Sequence, residues 1–256
     1  MRRLAGVLAP ILLIALLLAL WEAACRGLNV PEYFVPAPSA IAGAAIANAP
    51  LLLASAWNTL ATALLALLLA SLLGCALALA VSLSPLLEAA VRPIAVTIQA
   101  TPIVAIAPLA LIWAGIDHPE RAILGLAVVV AFFPVFSGAL TGLHAADPDL
   151  ERLFDLYGAR PMQRLVRLRL PSATPFLLEG LKVAGGLAIV GAVVAEFGAG
   201  SGGVQGLAWR ILEASNRLQM PKVFAALLML AVMAASLFGL LQTLENALLA
   251  RWRGRR

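Results

Sequence analysis

The stretch HAADPDLERLFDLYGARPMQRLVRLRLPSATP, residues 144–175, is the one long polar interruption between two strongly apolar parts of the chain, and we refer to it as the polar segment. Across the 256 residues, 62% are hydrophobic and only 12% are charged, and the mean hydropathy is +0.99. Soluble domains carry about 25% charged residues, so this composition excludes an ordinary soluble protein. The sequence predicts a protein that crosses a membrane several times.

Apolar runs long enough to cross a bilayer lie on both sides of the polar segment. A helix needs about 20 apolar residues to span a hydrocarbon core of ~30 Å. Six runs meet this requirement, at residues 4–24, 58–83, 94–114, 121–143, 176–197 and 222–248. Only the polar turn at 115–120 separates the third run from the fourth. Because no low-complexity linker interrupts the chain, we expect an all-α membrane protein with six transmembrane helices in one domain, residues 1–256.

The Lys and Arg residues lie mostly on one side of a six-span topology. That side receives Arg2, Arg3, Arg92, the arginines of the polar segment, and Arg251, Arg253, Arg255 and Arg256. The opposite side receives only Arg26, Arg121, Arg210, Arg217 and Lys222. Loops rich in Lys and Arg face the cytoplasm, so both termini and the polar segment are predicted to be cytoplasmic. The sequence pI near 10.0 therefore reflects topology and does not indicate a nucleic-acid partner.

The region around the first apolar run contains three further signals. Cys25 and Cys75 are the only cysteines, and they give neither a disulfide framework nor metal-ligand spacing, so no metal or cofactor is expected. Residues 20–25 resemble a lipoprotein cleavage site, but Glu22 occupies a position that needs an apolar residue, so we expect the first run to remain as a span. In the following loop, Ser39 is predicted to cap a short Ala-rich helix.

Within the polar segment, apolar residues repeat at helical spacing. The residues on this face are Leu150, Leu153, Phe154 and Tyr157. Gly158 can take the left-handed conformation that ends a helix, and Pro161 is well placed to begin the next one. We therefore predict two helices joined by a hinge.

The second helix of the polar segment is predicted to be cationic on one side. Arg160, Arg164 and Arg167 follow one another at spacings of four and three, whereas Met162, Leu165 and Leu168 lie on another side. Such a helix can lie on the membrane surface, where each arginine gains on the order of 1 kcal/mol from anionic lipid headgroups. It can also bind the surface of a partner protein.

The spacing at the end of the polar segment matches a known signature. The chain has Gly158, then nine residues, Leu168, one further residue, Leu170 and Pro171. This spacing resembles the cytoplasmic-loop motif of ABC importer permeases, EAA-x3-G-x9-I-x-LP. The Glu-Ala-Ala positions are Arg152, Leu153 and Phe154 here, and Glu151 is displaced by one. Residues 100–102, 106–109, 132–134, 147–148 and 170–197 extend the resemblance, which points to the nitrate, sulfonate and taurine branch.

This resemblance implies a fold similar to the type I ABC importers and a set of partners. The permeases of that family pair as dimers, bind two cytoplasmic ATPase subunits and receive solute from a periplasmic solute-binding protein. The polar segment would then hold the coupling helix, which docks in a groove of the ATPase. The residues assigned in this way to ATPase coupling are Leu153, Phe154, Tyr157, Gly158, Arg160, Arg164, Arg167, Leu168, Leu170 and Pro171. We expect a homodimeric, multi-pass protein in the lipid of the bacterial inner membrane.

Other classes of protein are disfavoured by what the chain lacks. It has no GxxxxGK[ST] phosphate loop and no GxGxxG strand-to-helix turn, so we expect a transport subunit that is not an enzyme, with ATP hydrolysis in a separate partner. An ATP-independent carrier or channel remains the alternative. Gradient-driven carriers usually place ionisable residues at the membrane midplane, and the second to fourth runs contain none there. An intramembrane serine protease is disfavoured because Ala199 replaces the first Gly of a GxSG pattern at Ser201.

Polar residues inside the apolar runs are candidates for the translocation path. In the third run, Gln99 and Thr101 are polar, and Pro102 can kink the helix and free backbone carbonyls. Glu196, at the end of the fifth run, is predicted to lie near an external gate, because a carboxylate there needs water, a cation or a cavity. The alternatives are an interhelical hydrogen bond for Gln99 and an interfacial ion pair with Arg210 for Glu196.

Small residues recur at every fourth position in two of the runs. They are Gly180, Ala184, Ala188 and Ala192 in the fifth run, and Gly138 and Gly142 in the fourth. Such stripes let helix backbones approach closely, so packing is their expected role. Glu179 and Lys182, three residues apart, are expected to form an ion pair on the helix surface. The glycine-rich stretch at 198–206 is predicted to be a flexible outer loop.

The resemblance to this family is compatible with several transported solutes. Related permeases serve importers of nitrate, alkanesulfonates and taurine, and also of thiamine-pyrimidine or riboflavin precursors. The apolar runs offer no Arg or Lys cradle for an anion. Selectivity is therefore expected to reside mainly in the binding protein.

Overall fold

The computed structural model describes residues 2–115, 117–199 and 205–253, and within these ranges every regular element is helical. Before the polar segment, the helices are α1 Arg2–Gly27, α2 Pro38–Ala47, α3 Ala49–Ser82, α4 Pro85–Ala100, α5 Ile103–Ala114 and α6 Pro119–His144. The polar segment contains α7 Pro148–Leu156, α8 Pro161–Arg164 and a π-helical turn, Leu165–Arg169. It is followed by α9 Leu170–Ala199, α10 Leu207–Asn216 and α11 Met220–Arg253. The predicted all-α class is confirmed for these residues.

Several helices are long and apolar enough to cross a bilayer. Four qualify as single helices, namely Ala49–Ser82, Pro119–His144, Pro161–Gly198 and Met220–Ala250. The pair α4 and α5 qualifies when taken together, which makes up to five spans among the described residues. The first predicted run, 4–24, lies in the 26-residue helix α1. Length and composition therefore support a multi-pass membrane protein.

The third predicted run is not one continuous helix. α4 ends at Ala100, α5 begins at Ile103, and the two helices meet at an angle of 98°. Pro102 explains the break, because its ring disfavours a helical conformation at the preceding residue and it has no backbone N–H. Thr101 accordingly has extended dihedral angles, φ −74° and ψ 127°. The single span predicted at 94–114, with a possible kink at Pro102, is therefore corrected to a bent pair of helices.

The second half of the polar segment is part of a span helix, although it was predicted to lie in a loop. α8, the π-helical turn and α9 form one helix that is apolar enough to cross the bilayer between Pro161 and Gly198. The span predicted at 176–197 therefore begins inside the polar segment. Pro171 accounts for the π-helical turn, because it has no N–H to donate to the carbonyl four residues earlier. The N–H of Leu170 bonds instead to the carbonyl of Leu165, five residues earlier.

Glu22, not Ser39, caps the short helix α2. The Glu22 carboxylate accepts hydrogen bonds from the Ser39 N–H over 3.0 Å and from Ser39 Oγ over 2.7 Å. Ser39 lies within the first turn, after the N-cap residue Ala37. A carboxylate at this position also interacts favourably with the positive end of the helix dipole. The predicted N-cap role of Ser39 is therefore wrong.

The chain divides into two compact units. Unit 1 contains Met1–Trp57 and Gln205–Val232, and unit 2 contains Asn58–Val204 and Met233–Arg256. The core of unit 1 includes Ile41, Leu52, Leu207 and Ile211. A core cluster of unit 2 is formed by Ala78, Val81, Phe136, Leu140, Leu143 and Ala173, with other apolar residues around it. The single domain expected for residues 1–256 stays a prediction.

Glycines hold α6 and α9 of unit 2 close together. A Cβ on Gly138 would lie 2.7 Å from the Phe176 carbonyl oxygen, and one on Gly180 would lie 2.6 Å from the Pro134 carbonyl oxygen. The stripe residues Ala184, Ala188 and Ala192 are fully buried. Small residues allow this approach of backbones in membrane helices. The packing role predicted for the small residues is confirmed.

Candidate functional site

The first candidate site, in unit 2, consists of α7, a hinge and the helix that begins with α8. Asp147 starts α7, because its side chain accepts a hydrogen bond from the Asp149 N–H over 2.8 Å. Gly158 follows α7 with φ +62°, a conformation that residues with a Cβ rarely adopt. α8 then begins at Pro161. The predicted order of helix, hinge and helix is confirmed.

Ion pairs across the hinge join α7 to the next helix. Glu151 Oε1 lies 2.7 Å from Arg169 Nε, and Glu151 Oε2 lies 3.3 Å from Arg164 Nη1. Arg164 also pairs with Asp155. The Glu151 side chain is only 20% exposed, so salt screens these interactions less than it screens an open surface pair. We call these four residues the Glu151 clamp.

The π-helical turn explains how both arginines reach the same carboxylate. Residues five apart, such as Arg164 and Arg169, lie about 140° apart around an ideal α-helix. The wider π-helical turn between them reduces this angle. Both guanidinium groups can therefore approach Glu151 from one side. Pro171, which causes the turn, thus contributes to the clamp without touching it.

Sequence patterns alone miss three members of the Glu151 clamp, namely Glu151, Asp155 and Arg169. Two local signals point to α7: Glu151 lies one position before the Glu-Ala-Ala positions of the motif, and Glu151 and Asp155 are four residues apart and so share one helix face. Arg164 was predicted to be one of three ridge arginines, but its side chain turns inward to the clamp and is 23% exposed. The other two ridge arginines, Arg160 and Arg167, are exposed.

The remaining predicted coupling residues differ in their exposure. Leu153, Tyr157 and Leu170 are exposed, Phe154 and Pro171 are partly buried, and Leu168 is buried. Tyr157 is the most prominent of them, with 83% of its surface exposed, and the neighbouring Leu156 is 85% exposed. The end of α7 therefore presents large apolar side chains beside the hinge. Exposed apolar patches of this kind often mark contact sites for other proteins.

The second candidate site is a pair of cavities in unit 2, lined mainly by residues of α4, α6 and α9, with Ile103 of α5 in the smaller one. Their volumes are about 360 Å³ and 260 Å³, and Gln99 lines both of them. The larger cavity also contains the polar residues Ser137, Thr141 and Glu179. The smaller cavity contains Thr101 and is otherwise mostly apolar. The two cavities thus share a lining residue at the end of α4, beside the bend.

Gln99 and Thr101 both line the smaller cavity, but their side chains have different surroundings. Thr101 Oγ1 donates a hydrogen bond to the Thr97 carbonyl oxygen over 2.8 Å, so this hydroxyl is already satisfied within its own helix turn. The Gln99 side chain is exposed and has no hydrogen-bond partner within the described parts of the chain. Pro102 produces the bend next to them. Of the three, Gln99 is the residue whose side chain lines both cavities without a hydrogen bond to another described residue.

Glu196 is not among the residues that line these two cavities in the described ranges. It is 3% exposed, and it accepts a hydrogen bond from Thr59 Oγ1 over 2.8 Å. In unit 1, Arg210 Nη1 lies 2.9 Å from Glu213 Oε2, and Arg210 Nε lies 3.0 Å from Ser55 Oγ. Residues 200–204, which include Ser201 and most of the predicted outer loop, lie outside the described residues, as does Ile116.

The predicted ion pair between Glu179 and Lys182 is confirmed, and it belongs to a larger network. Lys182 Nζ lies 2.5 Å from Glu179 Oε2 and 3.0 Å from Glu245 Oε2. It also donates to Gln242 Oε1 over 3.1 Å. The Lys182 side chain is only 11% exposed, so the pair is not a simple surface pair. The network ties α9 to α11 within unit 2.

Several apolar helices of spanning length, with an interrupted span beside cavities in unit 2, are typical of a membrane transport subunit. Residues 70–250 match the family described as binding-protein-dependent transport system inner membrane component. The chain belongs to this family of ABC importer permeases. Members of the family are permease subunits and not enzymes, because ATP hydrolysis takes place in a separate subunit.

Individual relatives agree with this assignment. A probable ABC transporter permease protein of Haemophilus influenzae is 33% identical and covers 91% of this chain and 93% of its own length. A formylaminopyrimidine transport permease protein of Halalkalibacterium halodurans is 32% identical over 99% of both chains. A taurine transport system permease protein of Escherichia coli is 29% identical over 94% of this chain and 88% of its own.

A solved structure shares the fold. It is described as the crystal structure of an amino acid ABC transporter with histidines. The two chains superpose with a TM-score of 0.65 at 19% identity, over 79% of this chain and 96% of that chain. At this level of identity, the similarity supports the fold alone.

Proposed function

We propose that this chain moves a small solute across the inner membrane by alternating access, driven by ATPase subunits that bind at the polar segment. The observation that carries the proposal is the exposed apolar end of α7, at Leu156 and Tyr157, on a helix fastened by the Glu151 clamp. An exposed apolar helix end is suited to docking on a partner, and the clamp allows the docked helix to transmit force.

Contacts within unit 2 indicate how a movement of α7 would reach the two cavities. The Glu151 clamp attaches α7 to the helix that continues as α9, through Arg164 and Arg169. α9 in turn packs closely against α6 at Gly138 and Gly180. Both helices line the two cavities at Gln99. In this proposal, ATP binding by the ATPase subunits pulls α7 and opens the translocation path to the outside of the membrane. ATP hydrolysis then returns the path to its inward-facing state.

The complete topology extends this proposal. α1 supplies a sixth span, and both termini and the polar segment face the cytoplasm, as the arginine distribution predicts. Two copies of the chain, each a single domain, pair with two ATPase subunits. An extracytoplasmic solute-binding protein delivers the solute. Family membership supports ATPase and binding-protein partners in general.

For the solute, we favour a small pyrimidine precursor, with taurine or another sulfonate as the second candidate. The formylaminopyrimidine permease is similar over nearly all of both chains, and the taurine permease is similar over slightly less. The cavity lining supports the first candidate, because its polar residues Gln99, Ser137, Thr141 and Glu179 can hydrogen-bond amino groups. None of the relatives reported above is named for nitrate, and nitrate is not proposed.

ATP-coupled uptake by the complete transporter in liposomes tests the proposal. We expect Gly158→Val to lower uptake about tenfold without loss of insertion, because a β-branched residue at φ +62° distorts the hinge. The matched control is Gly115→Val, which places the same residue at another positive φ, +91°, in the turn after α5. Equal effects of the two variants would contradict a coupling role for the hinge. Uptake without any ATPase would identify a carrier or channel.

Gln99→Leu separates contact with solute from helix packing. We expect the KM for uptake to rise about fivefold, as for the loss of one hydrogen bond of about 1 kcal/mol, with an unchanged melting temperature. The reason is that Gln99 lines both cavities and its side chain bonds to no other described residue. A lower melting temperature with an unchanged KM would instead show an interhelical packing role.

A further inference from the structure

The larger cavity contains one ionised group in its described lining, Glu179. The side chain of Glu179 is 57% exposed, and the other polar lining residues, Gln99, Ser137 and Thr141, are neutral. No Lys or Arg occurs among the described residues that line either cavity. A solute in the larger cavity therefore meets a carboxylate and neutral hydrogen-bonding groups, without a compensating cation in that lining.

The cation that pairs with Glu179 is withdrawn from solvent. Lys182 is 11% exposed and is shared between Glu179, at 2.5 Å, and Glu245, at 3.0 Å. Gln242 accepts a further hydrogen bond from it. Because Glu245 is only 12% exposed, the Glu179 carboxylate is the part of the network that an entering solute meets.

We propose that Glu179 is a specificity-determining residue that disfavours anionic solutes in the larger cavity and accepts hydrogen bonds from the amino groups of neutral or cationic solutes. This inference rests on the proposed function, because it takes the larger cavity to be part of the translocation path. Lys182 is then a positioning residue that holds the carboxylate at the wall. Two like charges a few ångströms apart repel each other, and this repulsion is stronger at a protein surface than in bulk water, because the effective dielectric constant is lower.

Binding of two probes to the purified transporter, the permease with its ATPase and without a binding protein, tests this charge selectivity. The probes are radiolabelled formylaminopyrimidine, which is neutral, and ethanesulfonate, which is an anion, and bound probe is measured by equilibrium dialysis. The wild type is expected to prefer formylaminopyrimidine. Glu179→Gln is expected to reduce this preference about tenfold, mainly through better binding of ethanesulfonate.

Glu245→Gln is the matched control, because it neutralises the other carboxylate on Lys182, and Glu245 is outside the described cavity lining. It is expected to retain the wild-type preference. Equal changes in both variants, an unchanged preference in Glu179→Gln, or no binding of either probe to the wild type would overturn the inference. ATP-dependent uptake is measured on the same preparations. If uptake lacks ATP dependence while the probe preference is as expected, the proposed importer function fails and the charge selectivity of the cavity stands.

Discussion

Replacing Gly180 with alanine is expected to lower the apparent melting temperature of the detergent-solubilised protein by about 5–10 °C. The added Cβ would lie 2.6 Å from the Pro134 carbonyl oxygen, a distance that real Cβ atoms do not adopt. α6 and α9 must then move apart, and overpacking of this kind costs about 1–3 kcal/mol. For a chain of this size, each kcal/mol corresponds to roughly 2–4 °C. Thermal unfolding followed by size-exclusion chromatography measures the shift.

Gly186→Ala is the matched control on the same helix. A Cβ at Gly186 meets no atom within 4 Å, so there is room for the methyl group. Alanine also favours the helix over glycine by up to about 1 kcal/mol, so this variant should be as stable as the wild type or slightly more stable. If Gly180→Ala melted at the same temperature as Gly186→Ala, the close approach of α6 and α9 would be refuted.

Glu151→Gln is expected to reduce ATP-coupled uptake about tenfold while the protein still inserts and assembles. The substitution leaves Arg164 with one ionic partner and Arg169 with none among the described residues. Losing charge-assisted hydrogen bonds in a partly buried site costs about 1.5–3 kcal/mol, which loosens α7 from the helix that continues as α9. ATPase activity and solute uptake, measured together in liposomes, report the loss as ATP hydrolysed without transport.

A double-mutant cycle with Arg169→Gln tests whether loss of the ion pair between Glu151 and Arg169 causes the loss of uptake. Because both residues act through one ion pair, the double variant should be little worse than the poorer single variant. Asp149→Asn neutralises a carboxylate on the same helix that is 85% exposed, and it should leave uptake unchanged. Additive losses in the double variant, or an equal loss in Asp149→Asn, would show that the clamp does not transmit the motion.

Local signals predict the elements of the polar segment well. The spacing of Leu150, Leu153 and Phe154, the hinge at Gly158 and the start at Pro161 all agree with α7, its positive-φ end and α8. Each of these signals acts within a few residues, through backbone conformation or through one helix face. The same is true of the ion pair between Glu179 and Lys182, which are three residues apart.

Structural features that depend on two distant parts of the chain are only partly predicted from the sequence. Pro102 indicates that a helix is disturbed, but the angle of 98° depends on how α4 and α5 pack afterwards. Glu151 and Arg169 are 18 residues apart, and they meet only because the π-helical turn rotates the arginine. A motif comparison at the Glu-Ala-Ala positions directs attention to Arg152, whose side chain is exposed.

The sequence by itself determined that the chain is helical, that it enters the membrane several times, and where its polar segment hinges. These properties depend on the hydrophobicity of runs of about 20 residues and on glycine and proline backbones, which are local quantities. The tertiary structure alone decided that Gln99 faces two cavities, that Glu151 holds two arginines, and that Lys182 reaches Glu245, 63 residues away. Such contacts depend on the direction in which helices pack, and small residues such as Gly138 set that direction only when the facing backbone is in place.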